Sequence, residues 1–320
     1  MKNLTQFICK SSVLAAFALT ASAAYSQNFL VAEGAGGVRN YSANGTNLGT
    51  FATTGIGNAL DVVEGGGSVF VSDFANDFIY KYTTDGVGQG VVNNQSQGHG
   101  PAGLAFINNR IHASAFKIAT VTSNQPDAGA EDGNRETPSP FLFYTPPGFS
   151  NVHGMTSAAP NGFSDIVYYT GNATNGDALL EFWQPGVDAG NIFNFGQATI
   201  RGVVAAGNNE FYVALSSLSK VVKLSFDAGT NTRTQSDFIT GIANPIGVEI
   251  DNGKIFVSSF TNQTINGYSL TDGSLQSTFN TVGSPQYFSV TAVPEPSTYA
   301  MVGLVGIFGL IAVRRRSKVA

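Results

Sequence analysis

Between residues 27 and 293 the apolar residues fall in short runs, each bounded by Gly, Asn or Asp-Gly, and no stretch keeps a helical period. One unit shows the pattern well. Asn244-Pro-Ile-Gly-Val-Glu-Ile opens it, and Lys254-Ile-Phe-Val-Ser-Ser-Phe260 follows a turn. Then come Ile265 to Leu270, an Asp-Gly turn, and a further run around Phe279. Apolar runs this short, punctuated by turn residues, predict four strands per unit and an all-β body.

The unit repeats. Asn58 to Tyr82 aligns with Asn244 to Tyr268 without a gap at an offset of 186, and ten of 25 positions are identical. Pro101 to Phe116 joins them at an offset of 144, through Pro101, Gly103, Asn108, Ile111, Ser114 and Phe116. The second, most apolar strand of each unit has its anchor at Phe29, Val69, Ile111, Val167, Phe211 or Ile255, with spacings of 40, 42, 56, 44 and 44. The polar stretch Thr122 to Pro140 accounts for part of the long interval and reads as an exposed loop. Four strands in about 40 residues describe one propeller blade, so six anchors predict a six-bladed β-propeller of four-stranded blades.

The phase of the repeat supports a closed ring. The body begins at a second strand, Phe29-Leu-Val, and ends with Ser284-Pro-Gln-Tyr-Phe-Ser-Val290, which repeats the Asn244 start at a spacing of 40. Ser284 to Val290 is therefore expected to be the innermost strand of the blade whose next strand is Phe29 to Ala32, leaving no unpaired edge at the junction.

The ends of the chain follow different rules. Met1 to Lys10 carries Lys2 and Lys10, and the Ala-rich run Ser11 to Ala24 has a small-x-small ending, with cleavage expected after Ala23, Ala24 or Ser26. Residues 1–26 thus read as a secretory signal peptide, 27–293 as the propeller and 294–320 as a sorting and anchor segment. In the last of these, Pro294-Glu295-Pro296 precedes the uncharged run Tyr299 to Val313 and the cluster Arg314-Arg315-Arg316. A helix over that run would be roughly 22 Å long against a hydrocarbon core of about 30 Å, and snorkelling arginines would complete the span. The arginines would stay cytoplasmic, leaving the body outside.

Two resemblances follow from these residues. Pro294-Glu295-Pro296, a single apolar helix and a terminal arginine cluster resemble the PEP-CTERM sorting signal of Gram-negative bacteria. That resemblance implies an exosortase-type sorting peptidase as a partner, a transient stay in the inner membrane through the C-terminal helix, and delivery to the cell surface or extracellular matrix. The Pro-x-Gly and Ile-Phe-Val-Ser motifs resemble six-bladed propellers of the NHL and SMP-30/gluconolactonase-like group, and they speak for the fold more than for an activity.

Charge and chemistry narrow the function. Six of the 16 basic residues lie in the terminal segments, so residues 27 to 295 hold ten basic residues against 21 acidic ones, a net charge of −11 that disfavours nucleic acid. The only cysteine, Cys9, lies in the leader, so the mature body has neither disulfide nor thiolate chemistry. His99, His112 and His153 are too dispersed along the chain for a zinc motif, and no Gly-x-Ser-x-Gly occurs. No catalytic or cofactor-binding residue is assigned and no cofactor is expected. The residues that open the inner strands are Asn58, Gly100, Asn151, Thr199, Asn244 and Ser284, with His99, His153 and Arg201 beside them. In a propeller these residues ring one end of the central channel. Asn58, His99, Asn151, His153, Arg201 and Asn244 are therefore the candidate ligand site, although Asn and Thr also favour such positions as turn formers.

The reading that results is an exported, surface-associated propeller used for binding or scaffolding, with an extracellular polysaccharide or surface protein as its partner. The alternative is an SMP-30-like hydrolase or lactonase with a divalent cation in the channel, for which Glu33, Asp61 and Glu249 are the nearest acidic residues. Their spacing does not reproduce that family's metal set.

Overall fold

A computed structural model describes residues 25–94, 100–107, 110–115, 141–144, 149–157, 167–184, 187–207, 209–227, 230 and 232–294. Residues 1–24 of the expected signal peptide, the loop 122–140, His99, the Glu295-Pro296 pair, the apolar run from Tyr299 and the arginine cluster lie outside them, while Tyr25 and Ser26 open the strand Tyr25–Ala32. Among the described residues no helix is long and apolar enough to cross a membrane.

The described strands form six sheets. The second runs Ala59–Gly65, Ser68–Asp73, Phe78–Thr83, Gly88–Asn94, each strand antiparallel to the one before it. The fourth is Phe149–Ser157, Val167–Ala173, Ala178–Gln184, Val187–Asn194, and the fifth Ile200–Ala205, Glu210–Leu215, Lys220–Asp227, Thr232–Thr240. Pro245–Asp251, Lys254–Ser259, Thr264–Ser269 and Leu275–Asn280 make the sixth. All six anchors fall on second strands.

The first sheet is ordered Phe288–Pro294, Tyr25–Ala32, Val38–Ser42, Asn47–Ala52, so the ring closes with a C-terminal strand inside an N-terminal one. The closing strand starts at Phe288, later than the expected Ser284. The preceding residues still join the blade, through Gln286 N–H to Ala32 C=O at 2.8 Å and Ala32 N–H to Tyr287 C=O at 3.1 Å.

The third sheet departs from the four-stranded expectation. Its described strands are Pro101–Ile107, Arg110–Ala115 and Phe141–Tyr144, and the last adds parallel to the second instead of turning back in a hairpin. A parallel addition needs a long connection, which the stretch between Ala115 and Phe141 supplies.

The body from Phe29 to Val290 is one compact unit. Its apolar side chains divide by strand alternation between neighbouring interfaces. Phe29 and Val31 pack with Phe256, Ile265 and Phe288 of the closure, while Leu30 and Ala32 pack with Val62, Val69 and Val71 of the second blade. Phe211, Val213 and Leu215 likewise meet Tyr168 and Leu180, whereas Tyr212 and Ala214 meet Val248 and Ile255.

A belt of hydroxyls ties the inner strands together. Ser114 Oγ accepts from Gly103 N–H at 2.7 Å and donates to His153 C=O of the next blade at 2.8 Å. Ser258 does the same between Gly247 N–H and Gln286 C=O, both at 2.7 Å. Ser72 links Asp61 N–H to Ala102 C=O, and Thr170 links Gly154 N–H to Arg201 C=O. The fifth blade has Ala214 at the equivalent position, and there Ser216 Oγ bonds to Pro245 C=O.

The Pro-x-Gly glycine has its reason in the same place. A Cβ at Gly103 would stand 2.2 Å from His153 C=O, and one at Gly202 2.2 Å from Ile246 C=O. Each glycine lets its strand close onto the next blade's carbonyl.

Candidate functional site

The site is built where the inner strands depart from this rule. Aligned on the residue that opens each strand, the glycine position holds Gly103, Gly154, Gly202 and Gly247, but Asp61 in the second blade and Tyr287 in the first. One residue earlier stand Leu60, Ala102, His153, Arg201, Ile246 and Gln286. His153, Arg201, Asp61 and Tyr287 thus occupy two successive positions of the inner strands.

His153 and Arg201, on adjacent inner strands, meet: Arg201 Nη1 donates to His153 Nδ1 at 2.9 Å. The acceptor must then be an unprotonated ring nitrogen. Burial, then the neighbouring guanidinium, lowers the His153 pKa to about 3, so the imidazole is neutral at neutral pH. Arg201 Nε is buried and has no hydrogen-bond partner, and the same holds for Tyr287 Oη.

Asp61 carries a side chain where four of the other blades have glycine. Its Oδ2 accepts from Leu104 N–H of the next inner strand at 2.6 Å, and its Oδ1 from Val62 N–H at 2.7 Å. Burial raises its pKa well above the usual carboxylate range against the pull of these two bonds, and the Glu249 charge adds to the rise. Glu249 is pushed up to about 8 by burial, with Asp251 the next cause. Tyr287 is raised by burial, lowered by Arg201 and raised by Asp61. Tyr287 on the first blade thus responds to charged groups on the second and fifth.

The other candidate residues serve the turns. Asn58, Thr199 and Asn244 use their carbonyls identically, accepting from Phe74, Ser216 and Phe260 N–H at 2.9, 2.8 and 3.1 Å. Asn244 also adopts a left-handed backbone with φ of 50°, which asparagine tolerates. Asn151 Oδ1 accepts from Asn172 N–H at 3.2 Å. Of the six candidates, His153 and Arg201 are brought into contact, and Asp61 and Tyr287 are the residues that reasoning from strand openings passed over. Superposing the repeats on the glycine would have found both.

Glu33 is held elsewhere. Its Oε1 accepts from Tyr41 Oη at 2.5 Å and its Oε2 pairs with Arg39 Nε at 2.9 Å, while Tyr41 Oη accepts from Val282 N–H of the closing segment at 2.8 Å. Glu33 braces the closure and does not join Asp61 and Glu249 in a ligand set. Among the described residues no three His, Cys, Asp or Glu side chains are placed to hold a metal ion.

A closed ring of β-blades with a polar axis defines the class: this is a β-propeller. Residues 292–316 match the PEP-CTERM protein-sorting motif, which implies an exported protein. A chain of a nidogen/laminin complex superposes with a TM-score of 0.62 at 11% identity, over 82% of this chain and 98% of that one. Apo AztD from Citrobacter koseri matches with a TM-score of 0.48 at 11% identity, over 84% and 99%. No curated protein matches in sequence.

Proposed function

We propose that the protein is a propeller exported to the cell surface or extracellular matrix, where it acts as a binding or scaffold module after an exosortase-type peptidase processes its tail. The observation that carries this reading is the sorting motif at residues 292–316, which takes up the chain where the ring-closing strand Phe288–Pro294 ends. The body before it closes as a ring, and its inner strands carry a guanidinium, a neutral imidazole and a phenol, of which Arg201 Nε and Tyr287 Oη have no hydrogen-bond partner, groups suited to holding a polar ligand. In the transient state the run Tyr299 to Val313 spans the inner membrane with Arg314, Arg315 and Arg316 on the cytoplasmic side.

Cell fractionation with an antibody to the body tests the export half. The unaltered chain should reach the surface without its tail, and replacing Pro294, Glu295 and Pro296 by alanine should hold it unprocessed in the inner membrane. A surface form that keeps Tyr299 to Val313 would replace processing by permanent anchoring. The metal-dependent hydrolase reading lacks support at Glu33, whose carboxylate is already spent on Arg39 and Tyr41. A stoichiometric, tightly bound divalent ion in the purified protein would revive it.

A further inference from the structure

The rim between the first and second blades carries a feature that the repeat does not explain. Along the third strand of the second blade, Phe78, Tyr80 and Tyr82 alternate onto one face, with ring centroids 6.0 and 6.5 Å apart, and Phe51 of the first blade stands 6.0 Å from Tyr82. The equivalent residues are Lys220, Val222 and Leu224 in the fifth blade and Thr264, Asn266 and Tyr268 in the sixth. The outer strand differs too. Opposite Tyr82 stands Gly88, and opposite Lys81 stands Gly90, where the sixth blade pairs Tyr268 with Leu275 and Gly267 with Ser277. The aromatic row thus meets no side chain opposite Tyr82, while Val91 stands opposite Tyr80.

The result is an open groove of about 630 Å³ between Thr50–Thr54 of the first blade and Tyr80–Tyr82 with the glycine strand of the second. That volume lies within the ~300–1,000 Å³ range of ligand sites. We propose that this groove binds a neutral oligosaccharide, whose sugar rings lay their C–H faces on Tyr80 and Phe51 while threonine hydroxyls meet their hydroxyl groups.

The inventory of groups selects that chemistry. Tyr80 Oη is committed to Gly55 C=O at 2.8 Å, and Tyr82 Oη, although it has no hydrogen-bond partner, is buried away from the groove's surface. Tyr80 therefore offers its ring face rather than the free phenolic donor that a polyproline peptide would need for its carbonyls. Exposed Thr50, Thr53 and Thr54 supply hydroxyls that both donate and accept, the pattern that sugar hydroxyls require. Lys81 lines the groove, but its ammonium lies 6.0 Å over the Phe70 ring. The acidic body does not favour an anionic glycan. The proposal deepens the surface-binding reading above, but its test is independent of where the protein resides.

Calorimetric titration of the full chain, kept in a polyoxyethylene detergent that carries no sugar, tests it. Cellohexaose, xylohexaose and maltohexaose are the neutral probes, with hexagalacturonate and decaproline as the anionic and peptide probes. At least one neutral hexasaccharide should bind, and Tyr80→Ala should weaken it by about tenfold or more. Gly88→Val should do the same by filling the groove, since a Cβ there meets the Tyr82 ring at an ordinary 3.7 Å and the strand need not move. Its unchanged melting temperature would show that the loss is local. No neutral binding up to about 10 mM, binding of hexagalacturonate or decaproline alone, or neutral binding retained by both variants would overturn the proposal.

Discussion

Replacing Ser258 by alanine tests whether the hydroxyl belt holds the ring together. Ser258 is fully buried, and its hydroxyl accepts from Gly247 N–H and donates to Gln286 C=O, each at 2.7 Å. The first bond lies within the sixth blade, and the second crosses to the segment that closes the ring. Each is worth about 1 kcal/mol net, and a buried N–H left without a partner costs about 1–3 kcal/mol. Ser258→Ala should therefore lose about 2–4 kcal/mol, a large share of the ~5–15 kcal/mol typical of a folded domain. Ser259 provides the comparison. It is equally buried, but its hydroxyl bonds once, to Ala243 C=O at 2.7 Å, so its alanine variant should lose about 1 kcal/mol. Urea unfolding followed by far-ultraviolet circular dichroism reads both, and the slopes should agree if only native stability changes. A Ser258→Ala loss below about 0.5 kcal/mol, or one no larger than that of Ser259→Ala, would refute the belt as a source of stability.

Three further outcomes follow from the same geometry. A chain ending at Asn280 loses buried Phe288, about 2 kcal/mol on its own, and the bonds of Gln286 and Tyr287 to Ala32. It should lose its cooperative thermal transition, while a chain ending at Val293 keeps it; equal melts would disprove the closure. Gly202→Ala would set a Cβ 2.2 Å from Ile246 C=O, a backbone atom, and should cost about 1–3 kcal/mol or more in the same unfolding assay. Stability should also peak in mildly acidic solution. His153, lowered to about 3, contributes stability that is lost as pH falls from its ordinary range near 6.5, and Glu249, raised to about 8, loses its contribution as pH rises towards that value. Asp61, raised in the same sense, steepens the alkaline limb, and Glu249→Gln should flatten that limb without touching the acid one.

Much of the fold is legible in the sequence because a propeller repeats one local solution. Phe-Val-Ser on the second strand is visible in the alignment of Asn58 to Tyr82 with Asn244 to Tyr268, Pro-x-Gly on the first in that of Pro101 to Phe116 with the same unit, and the phase of Phe29 and Ser284 betrays the closure. The third blade is less legible. Nothing in the polar stretch between Ala115 and Phe141 shows that the chain returns parallel, because periodicity is blind to strand direction. The belt was half visible. The serines can be read, but their acceptors are carbonyls of the next blade, about 30–40 residues on at Ala102, His153 and Gln286, and only the ring brings them near. Arg201 and His153 share a phase in the repeat and therefore meet.

The departures from the repeat carry the functional information, and the second blade bears them at both its inner and its outer end. A residue that obeys the repeat is explained by what most blades share: a glycine for close approach, a hydroxyl for the belt, an apolar side chain for the interface. Asp61 breaks the glycine rule at the axis, and its carboxylate caps Leu104 N–H at the cost of a strongly raised pKa. Tyr80 and Gly88 break the rule at the rim, where the outer strand gives up its side chain opposite Tyr82. Neither substitution improves packing. A buried carboxyl costs solvation, and glycine in an edge strand costs conformational entropy without returning any contact. A blade that bears both costs, at its inner and its outer end, is the one whose surface has a use that the ring itself does not require.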